Sequence, residues 1–345
     1  MRISGSRIFH YTLPLKAEWR DAHGGFAQRN GTLIRFEADN GLSGWGDCAP
    51  LREDGSAVAL ERWHVELVGL KWSDVQATLR HAELPPAARC AAETALADLA
   101  AQQAELPLAR WLNPAAEMDV RCNAALGVLC QDSIKHALDA VREGFTVLKL
   151  KVGLADVDAD LTRLHALAAA LPAGIMLRLD ANRAWNDADA RHFLAGLEGL
   201  PVDLVEEPLA NPDLVRLADL QQQTLIPLAL DESLALLGLG QHQMVAAVIL
   251  KPMLLGGLDA SLAWAGRAHN LGMKCIATSS VDSAVGVLAA AHLAAALGTK
   301  LHHGLDTARW LVSDVGRSPN IMAGVMRLGS LPGLNFEADW KALGE

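Results

Sequence analysis

Two lysines occupy alternate positions in a short apolar segment, TVLKLKVG, at residues 146–153. Side chains alternate between the two faces of a strand, so Lys149 and Lys151 are expected to point the same way. Four later segments of the same apolar kind each end in ionisable residues. These residues are Asp180 with Asn182 just beyond it, Glu206 and Glu207, Asp231 and Glu232, and Lys251. The chain therefore places carboxylates and amines at the ends of successive predicted strands.

Such a set of side chains favours one kind of chemistry. Three carboxylates that meet at one edge of a sheet repel one another unless a cation neutralises them, and carboxylate oxygens suit Mg²⁺. A divalent cation and a neighbouring ammonium both disfavour the charged form of a lysine, which suits it to act as a general base. Removal of a proton α to a carboxylate needs this help, because the dianionic intermediate is very unstable. Taken singly, each acid is also compatible with a helix N-cap, and the lysines with a structural ion pair.

The elements that must position these residues follow from the hydrophobic pattern. From about residue 120, short apolar segments alternate with amphipathic helical stretches, which predicts repeated βα units around a parallel sheet. The predicted strands are RCNAAL, TVLKLKV, MLRLDA, VDLVEEP, PLALDE, AVILKP, KCIATS and LHHGL. One of the helices predicted between them is LGLGQHQMV, at residues 237–245. The pattern predicts an α/β fold with a (β/α)8-type barrel, a modified TIM barrel, in which chemistry belongs at the C-terminal ends of the strands.

The remaining chain predicts a second, α+β unit. GTLIRFEADNG and LSGWGDCAP indicate a hairpin with its turn at Asn40-Gly41, and Pro85-Pro86 precede a helix through ARCAAETALADLAAQQ. The glycine-rich tail that begins at about Ser313 is expected to return to this N-terminal region. We therefore predict a capping domain at 1–118, a catalytic barrel at 119–312 and a returning tail at 313–345.

Composition narrows the class of protein and its partners. The 345 residues are 51% hydrophobic and carry a formal net charge of -10, which suits an acidic enzyme and argues against nucleic acid as a partner. The N-terminal segment lacks the apolar core of a signal peptide, and the longest apolar stretch, 284–297, is short for a membrane span and indicates a buried helix. The five scattered cysteines form no CxxC pair, which argues against a disulfide framework or a zinc site. We expect a cytoplasmic protein that acts on a small-molecule carboxylate, with neither a membrane nor nucleic acid as partner.

These residues and their spacing resemble the enolase superfamily, in its muconate-lactonizing subgroup, where a KxK motif ends the second barrel strand. By this resemblance the ligands of Mg²⁺, or of Mn²⁺ in its place, would be Asp180, Glu206 and Asp231. The lysines would be Lys151 as the base, Lys149 as the neighbour that lowers its pKa, and Lys251 on the opposite side of the substrate. Asn182 and Glu232 would orient the ligands around the metal. Enzymes of this superfamily use a lysine or histidine base with Mg²⁺.

Several loops indicate a narrower resemblance within the subgroup. The stretches DANRAW, KPMLLGG, ATSSVDSAVG and HHGLDTARWLVSDV resemble loops of the o-succinylbenzoate synthases, which form o-succinylbenzoate by dehydration in menaquinone synthesis. The resemblance implies a hydro-lyase, with Ser279, Ser280, Gly256 and Gly257 as candidates for holding the succinyl end of its substrate.

Other activities remain compatible with the catalytic set. N-acylamino-acid racemases, dipeptide epimerases and muconate cycloisomerases carry the same lysines. Dipeptide epimerases usually show Asp-x-Asp at the end of the eighth strand, whereas this chain has Asp306 alone there. A Schiff-base aldolase would have no use for the three carboxylates, and a non-catalytic binding protein would be expected to have lost some of these residues.

Overall fold

The computed structural model describes all residues, 1–345. The chain begins with a three-stranded antiparallel sheet in the order β1-β2-β3. Its strands are β1 (Ile3–Asp21), β2 (Gly24–Ala38) and β3 (Ser43–Cys48). The predicted turn at Asn40-Gly41 joins β2 to β3, and Gly41 has a φ of 85°, a conformation that glycine adopts without steric cost. Four helices follow: α1 (Ser56–Trp63), α2 (Trp72–His81), α3 (Pro86–Gln103) and α4 (Leu108–Leu112).

The long helix α3 packs on this sheet at very short range. Gly46 of β3 leaves room for it, because a Cβ atom at that position would lie 1.8 Å from the backbone oxygen of Ala91. The alanine-rich face of α3 permits the same close approach from the other side, and most of its alanines are fully buried. The sheet and the helix together form the predicted α+β unit.

A short strand, β4 (Asp119–Arg121), precedes a curled sheet of seven parallel strands. These strands are β5 (Ala124–Val128), β6 (Val147–Lys151), β7 (Met176–Asp180), β8 (Val202–Glu206), β9 (Leu228–Leu230), β10 (Ala247–Leu250) and β11 (Lys274–Ala277). The helices around them are α5 (Ser133–Arg142), α6 (Val157–Ala170), α7 (Asp187–Gly196), α8 (Leu214–Gln222), α9 (Glu232–Leu237), α10 (Pro252–Leu255), α11 (Leu258–Asn270) and α12 (Ala284–Ala296). The α/β barrel is confirmed, with helices that cover the outer face of the sheet and bury its apolar strands.

The eighth predicted strand, LHHGL, is reduced to two residues. His303 forms a parallel bridge with Cys122 beside β5, and Gly304 forms one with Thr278 beyond β11. The amide of His303 donates to Arg121 O at 2.8 Å, and the amide of Gly304 donates to Ala277 O at 2.9 Å. These bridges join the two edge strands, so the barrel closes at a narrow seam instead of through a full strand.

One predicted helix is wrong. LGLGQHQMV is irregular, and the helix of this unit lies earlier, at α9. Gly238 follows the last residue of α9 with a φ of 69° and a ψ of -162°, a non-helical conformation that glycine adopts readily and that ends the helix. The leucine and methionine spacing beyond it imitates a helical pattern without forming one.

The C-terminal segment contacts both units. Its strands β12 (Ile321–Met322) and β13 (Val325–Arg327) form a small antiparallel sheet with β4. Phe336 packs edge-to-face and Trp340 at a tilt against Trp45 of β3, with ring centroids 5.4 and 5.8 Å away. These contacts agree with a returning tail, while the limits 1–118, 119–312 and 313–345 stay a prediction. In this chain no helix combines the length and the apolar character that crossing a membrane requires.

Candidate active site

The C-terminal ends of the barrel strands bring the charged residues of the sequence together. Lys149 and Lys151 lie on β6, paired with Arg178 and Asp180 of β7, and Asp180 is paired in turn with Glu206 of β8. Asp231 follows β9 and Lys251 follows β10. Because parallel strands all end at one mouth of a barrel, consecutive strand ends become neighbours in space.

Three buried carboxylates form a cluster that fits a metal ion. One oxygen from each of Asp180, Glu206 and Asp231 lies within 4.8 Å of the other two, and each residue is at most 2% exposed. Asp231 Oδ1 is buried and accepts no hydrogen bond, which leaves it in need of a positively charged partner. Hard oxygen ligands of this kind suit Mg²⁺, so the donor set matches the predicted ion.

Burial dominates the protonation of these carboxylates. The pKa of Glu206 is raised, chiefly by burial, and that of Asp231 is raised further by burial and by the nearby carboxylate of Glu232. Burial would also raise the pKa of Asp180, but the ammonium groups of Lys149, Lys151 and Lys251 together outweigh it and hold this pKa below its usual range. A buried acidic cluster with such opposed shifts gains most from a cation that neutralises all its members.

The two lysines of β6 differ in their contacts. Lys149 forms ion pairs with Glu206 and with Asp180, the latter at 3.1 Å. Burial alone would lower the pKa of Lys149, but these two carboxylates raise it. Lys151 Nζ instead donates to Asn182 Oδ1 at 2.6 Å and lies 3.7 Å from Asp180 Oδ2. Lys151 therefore has one amide and one more distant carboxylate as polar partners, whereas Lys149 contacts two carboxylates. The separate roles of the two lysines stay a prediction.

Lys251 faces the same mouth from the other side of the barrel. It lies beyond β10, whereas Lys151 ends β6, and β7, β8 and β9 separate the two strands. Its Nζ donates to Asp231 at 2.5 Å and to Glu232 at 3.3 Å. A substrate between Lys151 and Lys251 would have an amine on either face.

Glu207, adjacent to Glu206, points away from the cluster. Its side chain accepts hydrogen bonds from the amides of Asp231 and Ser233, at 2.6 and 2.9 Å, and from the Ser233 hydroxyl. This carboxylate therefore fixes the turn after β9. Because neighbouring side chains point in opposite directions, Glu206 faces the mouth and Glu207 faces the turn that it stabilises.

A cavity of about 60 Å³ lies between the lysines. Ser279 and Ser280 line it next to Thr278 and Thr307, while their contact with the succinyl end of a substrate stays a prediction. Gly256 and Gly257 do not line this cavity, which corrects the expectation that they hold the succinyl end of a substrate there. The short helix α10 carries them outward, where a Cβ atom on Gly257 would lie 2.5 Å from the Glu93 carboxylate.

Trp19, Leu51 and Asn123 are among the cavity residues that escaped sequence reasoning. Trp19 lies near the end of β1 and Leu51 follows β3. Both belong to the N-terminal unit, and no local pattern signals that these segments reach the barrel mouth. Asn123 precedes β5 and is 2% exposed. A buried amide in an apolar strand segment is a signal that could have identified it.

Comparisons with known proteins agree with this geometry. Residues 132–342 match the family model described as Enolase C-terminal domain-like. The o-succinylbenzoate synthase of Yersinia pseudotuberculosis is 32% identical over 321 residues, which cover 90% of this chain and 92% of that protein. The hydrophobic dipeptide epimerase of Enterococcus faecalis is 29% identical over 312 residues, which cover 86% and 88%. The crystal structure of an Enterococcus faecalis dipeptide epimerase, complexed with Mg and L-Leu-L-Tyr, has a TM-score of 0.88 at 26% identity and covers 98% of this chain and 100% of that one.

Fold and site together define a barrel enzyme with an acidic triad flanked by lysines. The chain belongs to the enolase superfamily, in its muconate-lactonizing subgroup. Synthases and epimerases of similar identity both lie among its relatives, so identity alone does not separate these activities.

Proposed function

We propose that the protein is an o-succinylbenzoate synthase. It would dehydrate 2-succinyl-6-hydroxy-2,4-cyclohexadiene-1-carboxylate to o-succinylbenzoate, a step of menaquinone biosynthesis, as a metal-dependent hydro-lyase. Support comes from the Yersinia synthase at 32% identity, from the cavity between two lysines, and from the polar but uncharged wall beside the eighth strand.

The single observation that carries this choice concerns Asp306. A dipeptide brings an ammonium group, which needs a carboxylate partner on the cavity wall. At the end of the eighth strand Asp306 is already engaged, since it accepts the amide of Ala125 at 3.1 Å and pairs with Arg309 Nε at 2.6 Å. The wall beside it presents Ser279 and Thr307, whose hydroxyls suit a carbonyl or carboxylate end of a substrate.

Lys151 would act as the base in this reaction. It would remove the proton from the ring carbon that bears the carboxylate, which leaves an enediolate. The same ammonium would then give that proton to the departing hydroxyl on the same face, so that water leaves and the ring becomes aromatic. Lys251 would lie against the other face and offset negative charge, while Asn182 holds Lys151 in place.

Asp180, Glu206 and Asp231 would hold Mg²⁺ in this reaction. The bound ion supplies positive charge at the point where the substrate carboxylate becomes dianionic. Lys149, which contacts two of the three carboxylates, would keep them in position and add a second positive charge nearby.

An N-acylamino-acid racemase of the same subgroup is a second candidate, favoured by one observation. Lys151 and Lys251 both line the cavity of about 60 Å³ from opposite sides, so one could remove a proton and the other return it from the other face. A synthase needs only one of the two lysines as a base.

The test is a substrate panel with purified, Mg²⁺-loaded protein. The cyclohexadiene carboxylate, N-succinylamino acids and dipeptides are supplied separately, and product formation and loss of optical rotation are followed. We expect the highest kcat/KM for the cyclohexadiene. A higher kcat/KM for N-succinylamino acids or for dipeptides would replace the synthase with a racemase or an epimerase.

A further inference from the structure

The cavity between the lysines, called the inner cavity from here on, adjoins a larger one that has no assigned role. This outer cavity has a volume of about 560 Å³ and shares five lining residues with the inner cavity: Asp21, Leu51, Glu232, Lys251 and Ser280. The two cavities adjoin at these shared residues, with Lys149, Lys151 and Asp180 at the inner end. A substrate whose reacting carboxylate lies at the inner end would extend its other end into the outer cavity.

Arg183 is a cationic residue of this outer cavity without a carboxylate partner. It forms no ion pair with any residue of the chain, and its Nε is buried without a hydrogen-bond acceptor. A buried donor of this kind is costly unless a ligand supplies the acceptor. The guanidinium is therefore available to bind an anionic group of a ligand that enters the outer cavity.

The acidic residues of the outer cavity are already engaged. Asp21 accepts the amide of His23 at 2.8 Å, and Asp54 accepts the amide of Ser56 at 2.9 Å. Glu232 holds Lys251 at 3.3 Å. None of these carboxylates neutralises Arg183.

The backbone holds Arg183 at the rim by a strained conformation. Asn182 and Arg183 are consecutive non-glycine residues with φ of 43° and 60°, the left-handed region that such residues rarely adopt. The amide of Arg183 donates to the carbonyl of Glu207 at 2.7 Å, which fixes the turn. Strain of this kind persists where the surrounding structure imposes it and clusters at functional sites. The strained turn connects Asn182, which contacts Lys151 directly, to Arg183, which faces the outer cavity.

We propose that Arg183 binds the distal carboxylate of an elongated dicarboxylate substrate, whose reacting carboxylate lies at the inner end. A guanidinium matches a carboxylate through two parallel N–H donors, which fixes orientation as well as affinity. This inference deepens the proposed function, because the succinyl carboxylate is the distal anion of the synthase substrate. It adds a binding residue beyond the serines of the inner wall.

The test compares two ligands that differ only at the distal end. Isothermal titration of the Mg²⁺-loaded protein measures Kd for o-succinylbenzoate and for 2-butanoylbenzoate, in which a methyl group replaces the distal carboxylate. Arg183→Met is expected to weaken o-succinylbenzoate about 10- to 100-fold and to change 2-butanoylbenzoate less than about 3-fold. Arg183→Asn is a second variant, because asparagine tolerates a left-handed backbone. Arg52→Met is the matched control, an exposed arginine of the same cavity.

Equal weakening of both ligands by the Arg183 variants, no weakening of either, or a loss confined to Arg52→Met overturns the proposal. The same holds if the wild-type protein binds the succinyl and butanoyl ligands equally or binds neither. A second pair, N-succinyl- and N-butanoyl-phenylalanine, separates this inference from the proposed function. Loss of discrimination in Arg183→Met for that pair supports Arg183 even when the cyclohexadiene is not dehydrated, a result that rejects the synthase alone.

Discussion

The indole ring of Trp19 lies over the ammonium of Lys151, with Nζ 5.3 Å from the ring centroid. Trp19 stands near the tip of the β1–β2 hairpin, and its ring meets the edge of Trp310 at 5.2 Å. The indole nitrogen of Trp310 donates to Ala125 O in β5 at 3.0 Å. A side chain of the N-terminal unit thus touches the proposed base and is braced by the barrel.

Removal of this ring should impair the reaction. Trp19→Ala is expected to lower kcat/KM for the cyclohexadiene about 10-fold, because a cation–π contact of about 1 kcal/mol and the exclusion of water from Lys151 are both lost. Trp19→Phe should retain most of the activity. Trp111→Ala is the control, since Trp111 is 37% exposed and lies outside the cavity. A Trp19→Ala variant as active as wild type would contradict this role.

Loss of the base should be more severe. Lys151→Ala is expected to lower kcat by at least about 100-fold, the usual contribution of a positioned general base. Steady-state assays with the cyclohexadiene measure it, and Mg²⁺ titration checks that the metal still binds. Lys135→Ala removes an exposed lysine that pairs with Asp139 and should be neutral. Retention of wild-type kcat by Lys151→Ala would exclude Lys151 as the base.

The strand ends were predictable because their signal is local. Alternation in TVLKLKVG places both lysines on one face, and the acids that close the next segments share its mouth in any parallel barrel. The positions of Trp19, Leu51 and Arg183 at the cavities depend instead on how segments of separate units converge. The predicted position of Gly256 and Gly257 beside the substrate was wrong for a related reason, because helix α10 turns the chain away from the mouth before it reaches them.

The seam shows a second limit of local reasoning. The sequence LHHGL predicts a strand in the last position of the barrel, but only two of its residues form bridges. A local pattern does not reveal how many residues of such a segment will pair. The segment closes the barrel because His303 pairs with Cys122 and Gly304 pairs with Thr278, and these partners are distant in the sequence. The erroneous helix at 237–245 illustrates the opposite case, in which apolar spacing is present but Gly238 prevents continuation.

Metal binding should be measurable without turnover. A ligand present at 100 times its Kd stabilises a protein by about 2.7 kcal/mol, so Mg²⁺ is expected to raise the unfolding free energy of the wild type by about this amount. Asp231→Asn should abolish most of the gain, because it removes one charged ligand of the triad. Asp219→Asn alters an exposed carboxylate paired with Arg191 and should retain the full gain. Urea unfolding with and without Mg²⁺ provides the comparison, and an undiminished gain in Asp231→Asn would reject the triad as the metal site.

His303 should make stability depend on pH. Burial lowers its pKa to about 3, and its Nδ1 accepts the amide of Ala277 at 3.0 Å. The unfolded chain binds a proton at this histidine below about pH 6.5 while the folded chain does not, so its contribution is present above that pH and is lost as the pH falls. The expected loss is about 1.4 kcal/mol per pH unit between pH 6 and 4.

The variant His303→Asn keeps an acceptor near the Ala277 amide but cannot titrate. Its unfolding free energy, measured by urea at pH 6 and pH 4, should therefore fall less steeply than that of the wild type. His242→Asn alters an exposed histidine and should follow the wild type. Parallel pH profiles for wild type and His303→Asn would contradict the prediction.

The bridges at His303 and Gly304 also determine when the mouth can form during synthesis. Strands β5 to β11 leave the ribosome first, and until residue 304 follows them the two outer strands keep unpaired edges. Joining Cys122 to His303 closes a loop that contains almost the whole barrel, and ordering that loop opposes an early closure. A nascent chain that already carries every proposed metal ligand and lysine is therefore not yet an enzyme.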